Sequence, residues 1–402
     1  MTPTMALEGP VLLDPPASWH PDWLTTSQST KIRAALGTDN VRFVGGCVRD
    51  SLLGRSVADF DLATTHTPEE TTKLLEAAGA KVVPTGIDHG TVTAVIDQLS
   101  FEITSLRSDV STDGRHATVA FTKDWYEDAA RRDFTINALY ATFDGKLFDP
   151  FGGFEDLQRK HVRFIGEAED RIREDALRIY RFFRFSARFG CSLDVTGLEA
   201  CRNRAADVNN LSRERVRDEL LKLLSVPDPT MFLREMQSIG VLPEVGTSEA
   251  GLADISLWIE REQANGSMSS PETRLALLYA QESAKEIAHA FRLSKKLQKF
   301  IADVRHASLD LQSGPSIRPC LYRLGPVVVE DALTGFAGDL RASYLRECEN
   351  WNEPQFPLSG ADLIEAGYES TPELGRLLNR LEKRWIASDF TLSKAELMAE
   401  VG

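Results

Sequence analysis

Residues 41–62 read VRFVGGCVRDSLLGRSVADFDL, and the order of pieces in this stretch sets the fold expected for the whole chain. VRFV is a short apolar run that ends in Gly45-Gly46, CVRDSLLG has helical spacing and closes on Gly54, and DFDLATT follows as a second apolar run. The pattern is strand, glycine turn, helix, strand. Residues i and i+2 of a strand share a face, so Asp59 and Asp61 are expected to project side by side while Phe60 turns into the core. Two carboxylates held that close repel each other unless a cation lies between them. Hard oxygen ligands with positions left open for phosphate and water suit Mg²⁺. Gly45 and Gly46 allow the backbone to approach an anion, and the following helix N-terminus offers amide donors. Together with Arg49 the stretch describes a nucleoside triphosphate held by a metal ion.

Outward from this stretch the first half alternates strand and helix. SQSTKIRAALG has a Ser start and a Gly stop, whereas the first 25 residues, rich in Pro, Ser and Thr, read as a loose lead-in. TPEETTKLLEAAG has Thr67 to cap it, Pro68 at its first position and Gly79 to close it, which predicts a helix. GTVTAVID and LSFEITSLR alternate with period two, and Glu102 falls opposite the apolar side set by Phe101 and Ile103. From about residue 155 the texture turns helical, in REDALRIYRFFRFSARFG, RERVRDELLKLLS and PETRLALLYAQESAKEIAHAFRL. Breaks are expected at 150–153, 226–229, 264–271 and 311–319. Residues 230–402 have helical pattern without chemistry of their own, and Trp351 and Trp385 read as core anchors. The expected class is α+β, a mixed-sheet N-terminal region followed by an all-α remainder.

Composition narrows the function. The chain has 402 residues, 42% hydrophobic, with 46 Lys+Arg against 60 Asp+Glu, which excludes disorder and small disulfide scaffolds. Its five cysteines form no CxxC pair, against a thiolate zinc site and in favour of a reducing cytoplasm. There is no basic start followed by an apolar core, and no run of the ~18 apolar residues that a membrane span needs. A net charge of −14 argues against nucleic acid as a partner, yet residues 131–222 hold 18 Lys+Arg and 16 Asp+Glu, so a locally basic cleft is expected there.

A second block, Glu174 to Arg184, carries a reading of base selection. On one helix Asp175 and Arg178 are three apart and share a face. The carboxylate only accepts hydrogen bonds and the guanidinium only donates. Cytosine and adenine present an amino donor beside a ring-nitrogen acceptor, which matches the pair, whereas uracil and guanine present the reverse. The pair would admit C and A and reject U and G, since unpaired groups in a hydrogen-bonding site are costly. The plainer alternative is a surface helix whose charges pair with one another. In RRDFTINAL, Arg132, Asp133 and Asn137 suit ribose and triphosphate recognition, with Asp133 also placed to cap an apolar helix.

The blocks GGCVRD, DFDL, Glu102, RRDFTINAL, FDPFGGFEDL and EDALRIYRFFRF, in that order over residues 40–222, resemble the successive motifs of class II tRNA nucleotidyltransferases, the CCA-adding enzymes of the polymerase-β-like superfamily. The resemblance implies a nucleotidyltransferase head with a five-stranded sheet over residues 26–150, a neck over 151–225, a body over 226–312 and a tRNA-binding tail over 313–402. It implies that Asp59 and Asp61 bind two metal ions with Glu102 as a third carboxylate, and that Asp175 and Arg178 select the base. It further implies nucleotide contacts for Arg132, Arg181 and Arg184. FDPFGGFEDL then reads as a hinge with its reversal at Asp149-Pro150 and Gly152-Gly153. RSDVSTDGRHATVAFTKDW, from Arg107, aligns with the family's flexible loop, including Asp113-Gly114-Arg115. LSRERVRDELLKLL, with Arg213, Arg215 and Glu219, should brace the neck. His89-Gly90-Thr91 reads as a turn, and no His-Asp dipeptide marks a phosphohydrolase domain.

The expected activity is therefore a Mg²⁺-dependent RNA nucleotidyltransferase that builds the 3′ CCA of tRNA from CTP and ATP in the cytoplasm. No membrane, DNA or obligate protein partner is indicated. The alternatives are a poly(A) polymerase, an enzyme limited to CC or A addition, and, from a different class, a catalytically silent RNA-binding protein.

Overall fold

The structure is a computed structural model that describes residues 12–87, 90–112, 117–190, 192–245, 249–313 and 316–401. The chain forms two compact units, Met1–Glu219 with Glu235–Val241, and Leu220–Arg234 with Leu242–Gly402.

The first unit holds the strands: β1 (Leu12–Leu13), β2 (Val41–Val44), β3 (Phe60–Thr64), β4 (Lys81–Gly86), β5 (Thr91–Ile96), β6 (Leu99–Ser105), β7 (Arg107–Thr112), β8 (Ala117–Phe121), β9 (Tyr140–Ala141) and β10 (Leu147–Phe148). Eight of them form one sheet in the order β1-β10-β9-β2-β3-β6-β5-β4, and β7 pairs with β8 separately. Only β3 and β6 run parallel, so the sheet is mixed, as expected of an α+β chain. The five longer strands match the expected five. Three two-residue strands, β1, β9 and β10, extend the sheet beyond β2 and are too short to leave a period-two pattern.

Burial explains which face the acidic residues take. Phe60 stacks on Phe101 at 5.5 Å between ring centroids, with Trp23 at 5.9 Å and Phe43 at 6.4 Å. Phe43 and Phe101 are fully buried. With one side of β3 committed to this aromatic cluster, the alternate residue Asp61 is turned to the other side. The helix Pro68–Ala77 forms as predicted, with a complete Thr67–Glu70 capping box.

Three expectations need correction: the loose lead-in, the loop from Arg107 and the single helix carrying Asp175 and Arg178. The lead-in is structured from residue 12 onward: β1 pairs with β10, Trp19 and Leu24 are buried, and Trp19 Nε1 donates to Ser51 Oγ at 3.0 Å. β4 runs through Pro84, and it can do so because it is the edge strand and carries a register shift between Val83 and Gly86. The polar segment from Arg107, read as a loop, holds two antiparallel strands, β7 and β8, paired with each other; Asp113, Gly114 and Arg115 lie outside the described residues, as does His89. Finally, the helix expected through 171–188 is two helices, Ala168–Glu174 and Leu177–Phe189, broken where Asp175 takes an extended backbone with φ −153° and ψ 104°.

Among its described residues the second unit is helical throughout. Its most buried charged side chain, Arg274, donates to Leu224 O at 2.7 Å, to Pro227 O at 3.1 Å and to the buried Glu262. Trp385 is buried in an apolar cluster with Leu363, Leu381 and Leu397, as an anchor should be.

Candidate active site

A cavity of about 540 Å³ opens over the sheet of the first unit. It brings together Gly45, Gly46, Arg49, Asp61, Glu102, Arg132, Asp133, Asn137, Asp175, Arg178 and Arg181, all singled out from sequence. Arg184 and Asp59 are not in its lining.

The acidic pair is set by strand register. Asp61 on β3 lies directly against Glu102 on β6 in the parallel pairing, and Thr93 on β5 lies against Glu102 from the far side. Neighbours in a sheet stand about 4.8 Å apart, so the two carboxylates project side by side from one face of the sheet. Asp59 sits one residue ahead of β3, and Asp59, Asp61 and Glu102 all keep contact with solvent. The Asp61 carboxyl is pushed above the ordinary carboxylate range first by the partial desolvation its surroundings impose, and then by the charges of Glu102 and Asp59, while Arg132 and Arg49 pull the other way. Among the described residues no three His, Cys, Asp or Glu side chains are gathered closely enough to hold a metal ion. What stands ready is the Asp61–Glu102 pair, with Asp59 next to it in the chain.

The glycine turn lies at the end of β2, beside Asp61. Gly45 adopts φ 69° and ψ −119°, a backbone that strongly favours glycine. Its amide donates to Leu139 O at 3.0 Å and so is not available to an anion. The donors left are those of Gly46, Cys47 and Val48, the first turn of helix Gly46–Leu52, which has no intrahelical acceptors for them. Arg132 reinforces this corner: a Cβ at Gly45 would lie 3.6 Å from Arg132 Nη1.

Arg132 is held by a buried network that sequence reading did not find. Arg132 Nε donates to Tyr140 Oη at 3.0 Å, and its Nη2 to Asp128 Oδ2 at 3.1 Å. Tyr140 Oη donates to the same Asp128 oxygen at 2.6 Å, and Arg131 Nη2 to Asp128 Oδ1 at 2.6 Å. Burial acts to raise the Asp128 carboxyl, but Arg132, Arg131 and the Tyr140 hydroxyl hold it down to about 2. The 128/131/132 spacing was a usable signal, since residues three and four apart on a helical turn are neighbours. Tyr140, brought in by β9, left none.

Asp133 does not cap an apolar helix. Residues Thr135–Asn137 make a single 3₁₀ turn that leads into β9. Asp133 instead accepts from Phe134 N at 2.8 Å, Asn137 Nδ2 at 2.9 Å and Arg181 Nε at 2.7 Å. Against its burial, these partners, Arg181 foremost, lower its carboxyl below the usual range. Asn137 passes the chain of bonds on to Arg49, whose Nη1 donates to Asn137 Oδ1, while Arg49 Nε and Nη2 clamp Asp50. Arg184 is withdrawn: it lies 3.9 Å over the Phe185 ring and donates to the buried Glu219, so it braces the fold and does not reach the cavity. Gly153 is fixed by sterics, as a Cβ there would lie 2.1 Å from Thr135 O. Asp149 accepts from the amides of Gly153 and Phe154 at 2.7 and 2.9 Å.

Asp175 and Arg178 are brought together across a helix break and not along one helical face. Asp175 Oδ1 accepts from Leu177 N at 3.1 Å, and its Oδ2 from Arg215 Nη2 at 2.7 Å. Arg178 Nη1 donates to Glu174 Oε2 at 2.6 Å and Arg171 O at 2.9 Å, and Nη2 to Arg131 O at 2.9 Å. A guanidinium has five N–H groups, so these bonds leave the Nε–H and one Nη2–H. Each Asp175 oxygen likewise keeps a lone pair. The ion-paired side chains thus keep hydrogen-bonding capacity of their own.

Comparison with known proteins follows the same line. Residues 41–163 match the family described as Poly A polymerase head domain, and residues 193–245 the one described as Probable RNA and SrmB-binding site of polymerase A. The chain is 36% identical to the human mitochondrial CCA tRNA nucleotidyltransferase 1 over 90% of its own length and 86% of that protein. It is 32% identical to the CCA-adding enzyme of Lactobacillus delbrueckii subsp. bulgaricus, over 88% and 91% of the two chains. Among solved structures it superposes on the Bacillus stearothermophilus CCA-adding enzyme in complex with CTP with a TM-score of 0.78 and 25% identity, over 94% and 98% of the two chains. The Thermotoga maritima CCA-adding enzyme complexed with tRNA shares the fold, with a TM-score of 0.64 at 22% identity, over 94% and 95%.

Proposed function

The chain belongs to the CCA-adding tRNA nucleotidyltransferase family, and from that premise we propose that it adds C, C and A to the 3′ end of tRNA, taking CTP and ATP as substrates. The observation that carries the reading is the register pairing of Asp61 with Glu102 at the floor of an arginine-lined cavity. Two carboxylates projecting side by side next to triphosphate donors, one of them already pushed toward protonation, fit a divalent cation. Asp61 and Glu102, with Asp59, are the residues that would hold it, and their hard oxygen donors suit Mg²⁺. A bound cation would lower the pKa of the RNA 3′-hydroxyl and neutralise charge on the departing pyrophosphate.

The remaining work falls to the chain itself. Arg132 and the first-turn amides of Gly46, Cys47 and Val48 orient the triphosphate. Arg181, Asp133, Asn137 and Arg49 form one bonded chain that keeps the cavity wall rigid. Asp175 accepts from the exocyclic amino group of C or A, and a remaining N–H of Arg178 donates to the neighbouring ring nitrogen. U and G would set acceptor against acceptor and donor against donor, at the cost of unpaired groups in a partly buried site.

The reaction is tested by incubating the full chain and Mg²⁺ with tRNA lacking its CCA end, supplying each nucleotide alone and then CTP with ATP, and counting residues added. Three additions followed by arrest are expected. A long A tail, or no addition at all, would overturn the reading. A second expectation concerns selection. Arg178→Ala should reduce the preference for CTP over UTP by about tenfold to a hundredfold, because hydrogen bonds to a charged group contribute roughly 1.5–3 kcal/mol. The CTP-to-UTP ratio of kcat/KM is the readout, since lost bracing of Glu174 alone would slow both nucleotides equally.

A further inference from the structure

The carboxylate pair has two unlike flanks. On the β2 side of Asp61 lie the glycine turn and Arg132, the donors suited to a triphosphate. On the other side, beyond Glu102, two neutral hydroxyls enter the lining, which also includes the cationic Arg107. Thr104 stands two residues after Glu102 on β6 and so on the same face, and Thr91 lies directly against it on β5. Their hydroxyl oxygens are 3.0 Å apart, and both residues line the cavity. In-line transfer places the attacking oxygen opposite the departing pyrophosphate. With the triphosphate on the β2 side, the attacking 3′-hydroxyl must come from the Glu102 side.

We infer that the Thr91–Thr104 hydroxyl pair is the subsite for the terminal ribose of the RNA to be extended, and that it recognises the 2′-hydroxyl of that ribose. One hydroxyl of the pair donates to the other, which leaves one hydrogen and spare lone pairs. A ribose 2′-hydroxyl is both donor and acceptor and is the group by which a protein tells RNA from DNA. A carboxylate or guanidinium at this place would serve one half of that group only. The inference rests on the proposed nucleotidyl transfer and adds to it the residues that hold the nucleophile.

The test uses the full chain, Mg²⁺, ATP, and tRNA ending in CC, in two forms whose last sugar is ribose or 2′-deoxyribose. The wild-type chain should favour the ribose end by about tenfold in kcat/KM, the effect of a hydrogen bond of ~1.4 kcal/mol. Thr104→Val, which keeps shape and removes the hydroxyl, should raise KM for the ribose-ended tRNA by a similar factor, leave KM for ATP unchanged and bring the two ends close to equality. Thr104→Ser should restore the preference. Equal use of both ends by the wild-type chain would overturn the inference without any variant, as would a Thr104→Val chain that keeps full discrimination. An ordinary cross-strand contact would lower stability without moving the ribose-to-deoxyribose ratio. Absence of addition to either tRNA would overturn the nucleotidyl-transfer reading itself.

Discussion

Asp61→Ala is expected to lower the rate of nucleotide addition by at least about a thousandfold, on the order of 4 kcal/mol of transition-state stabilisation, while tRNA binding stays near the wild-type value. Asp61 is paired in register with Glu102, and Asp59, outside the cavity lining, is not placed to take over its role. Single-turnover addition measures the first quantity and filter binding the second. Parallel loss of both would assign Asp61 to RNA binding and would remove it from the transfer step. The same residue predicts a separate effect on stability. Partial desolvation and neighbouring carboxylates raise its folded-state pKa above the unfolded value near 3.9. Its contribution is therefore fully present below that value and lost as pH rises through the higher folded one. At neutral pH an ionised Asp61 costs stability, a cost that Asp61→Asn should remove.

The second large effect is expected at Asp128. Its two oxygens receive Arg131, Arg132 and the Tyr140 hydroxyl in a buried setting. Removing one member of such a network leaves its partners buried and unpaired, which typically costs about 3–5 kcal/mol. Asp128→Ala should lose that much in urea unfolding, and Asp128→Asn, which keeps an acceptor, distinctly less. A loss below about 1 kcal/mol for the alanine change, the size of a surface pair, would mean that the network is solvated. The pH sign follows from the lowered carboxyl. The stability it contributes is present above the unfolded pKa near 3.9 and is lost as pH falls through about 2, so wild-type unfolding should steepen in that acid window and Asp128→Ala should not. Since Arg132 faces the glycine turn, the variant should also raise KM for the nucleotide.

How much of this was legible in the chain depends on the range of each interaction. Asp61 and Glu102 could be found because strand alternation is local and both residues break an apolar pattern. That they lie in register could not, because β3 and β6 are separated by a helix and two further strands. The Asp175–Arg178 pair was singled out by residue type and misplaced in geometry. Helical periodicity continues through Glu174-Asp175-Ala176, and only the Arg215 bond and the Leu177 amide, which hold the Asp175 carboxylate, mark the break. Arg184 shows the reverse failure: its spacing matched its neighbours, yet Glu219, 35 residues on, draws it away. Tyr140 and Thr91 gave no signal, because a two-residue strand and a cross-strand threonine pair have none to give.

The most direct test of the account is thermal unfolding of the wild-type chain and of Asp61→Asn, each with and without Mg²⁺. If Asp61 and Glu102 form a cation site, Mg²⁺ should raise the wild-type melting temperature, Asp61→Asn should melt higher than wild type without the metal, and the added metal should then have little further effect. A variant that melts lower than wild type without metal, or that gains as much from Mg²⁺ as the wild-type chain does, would contradict the account.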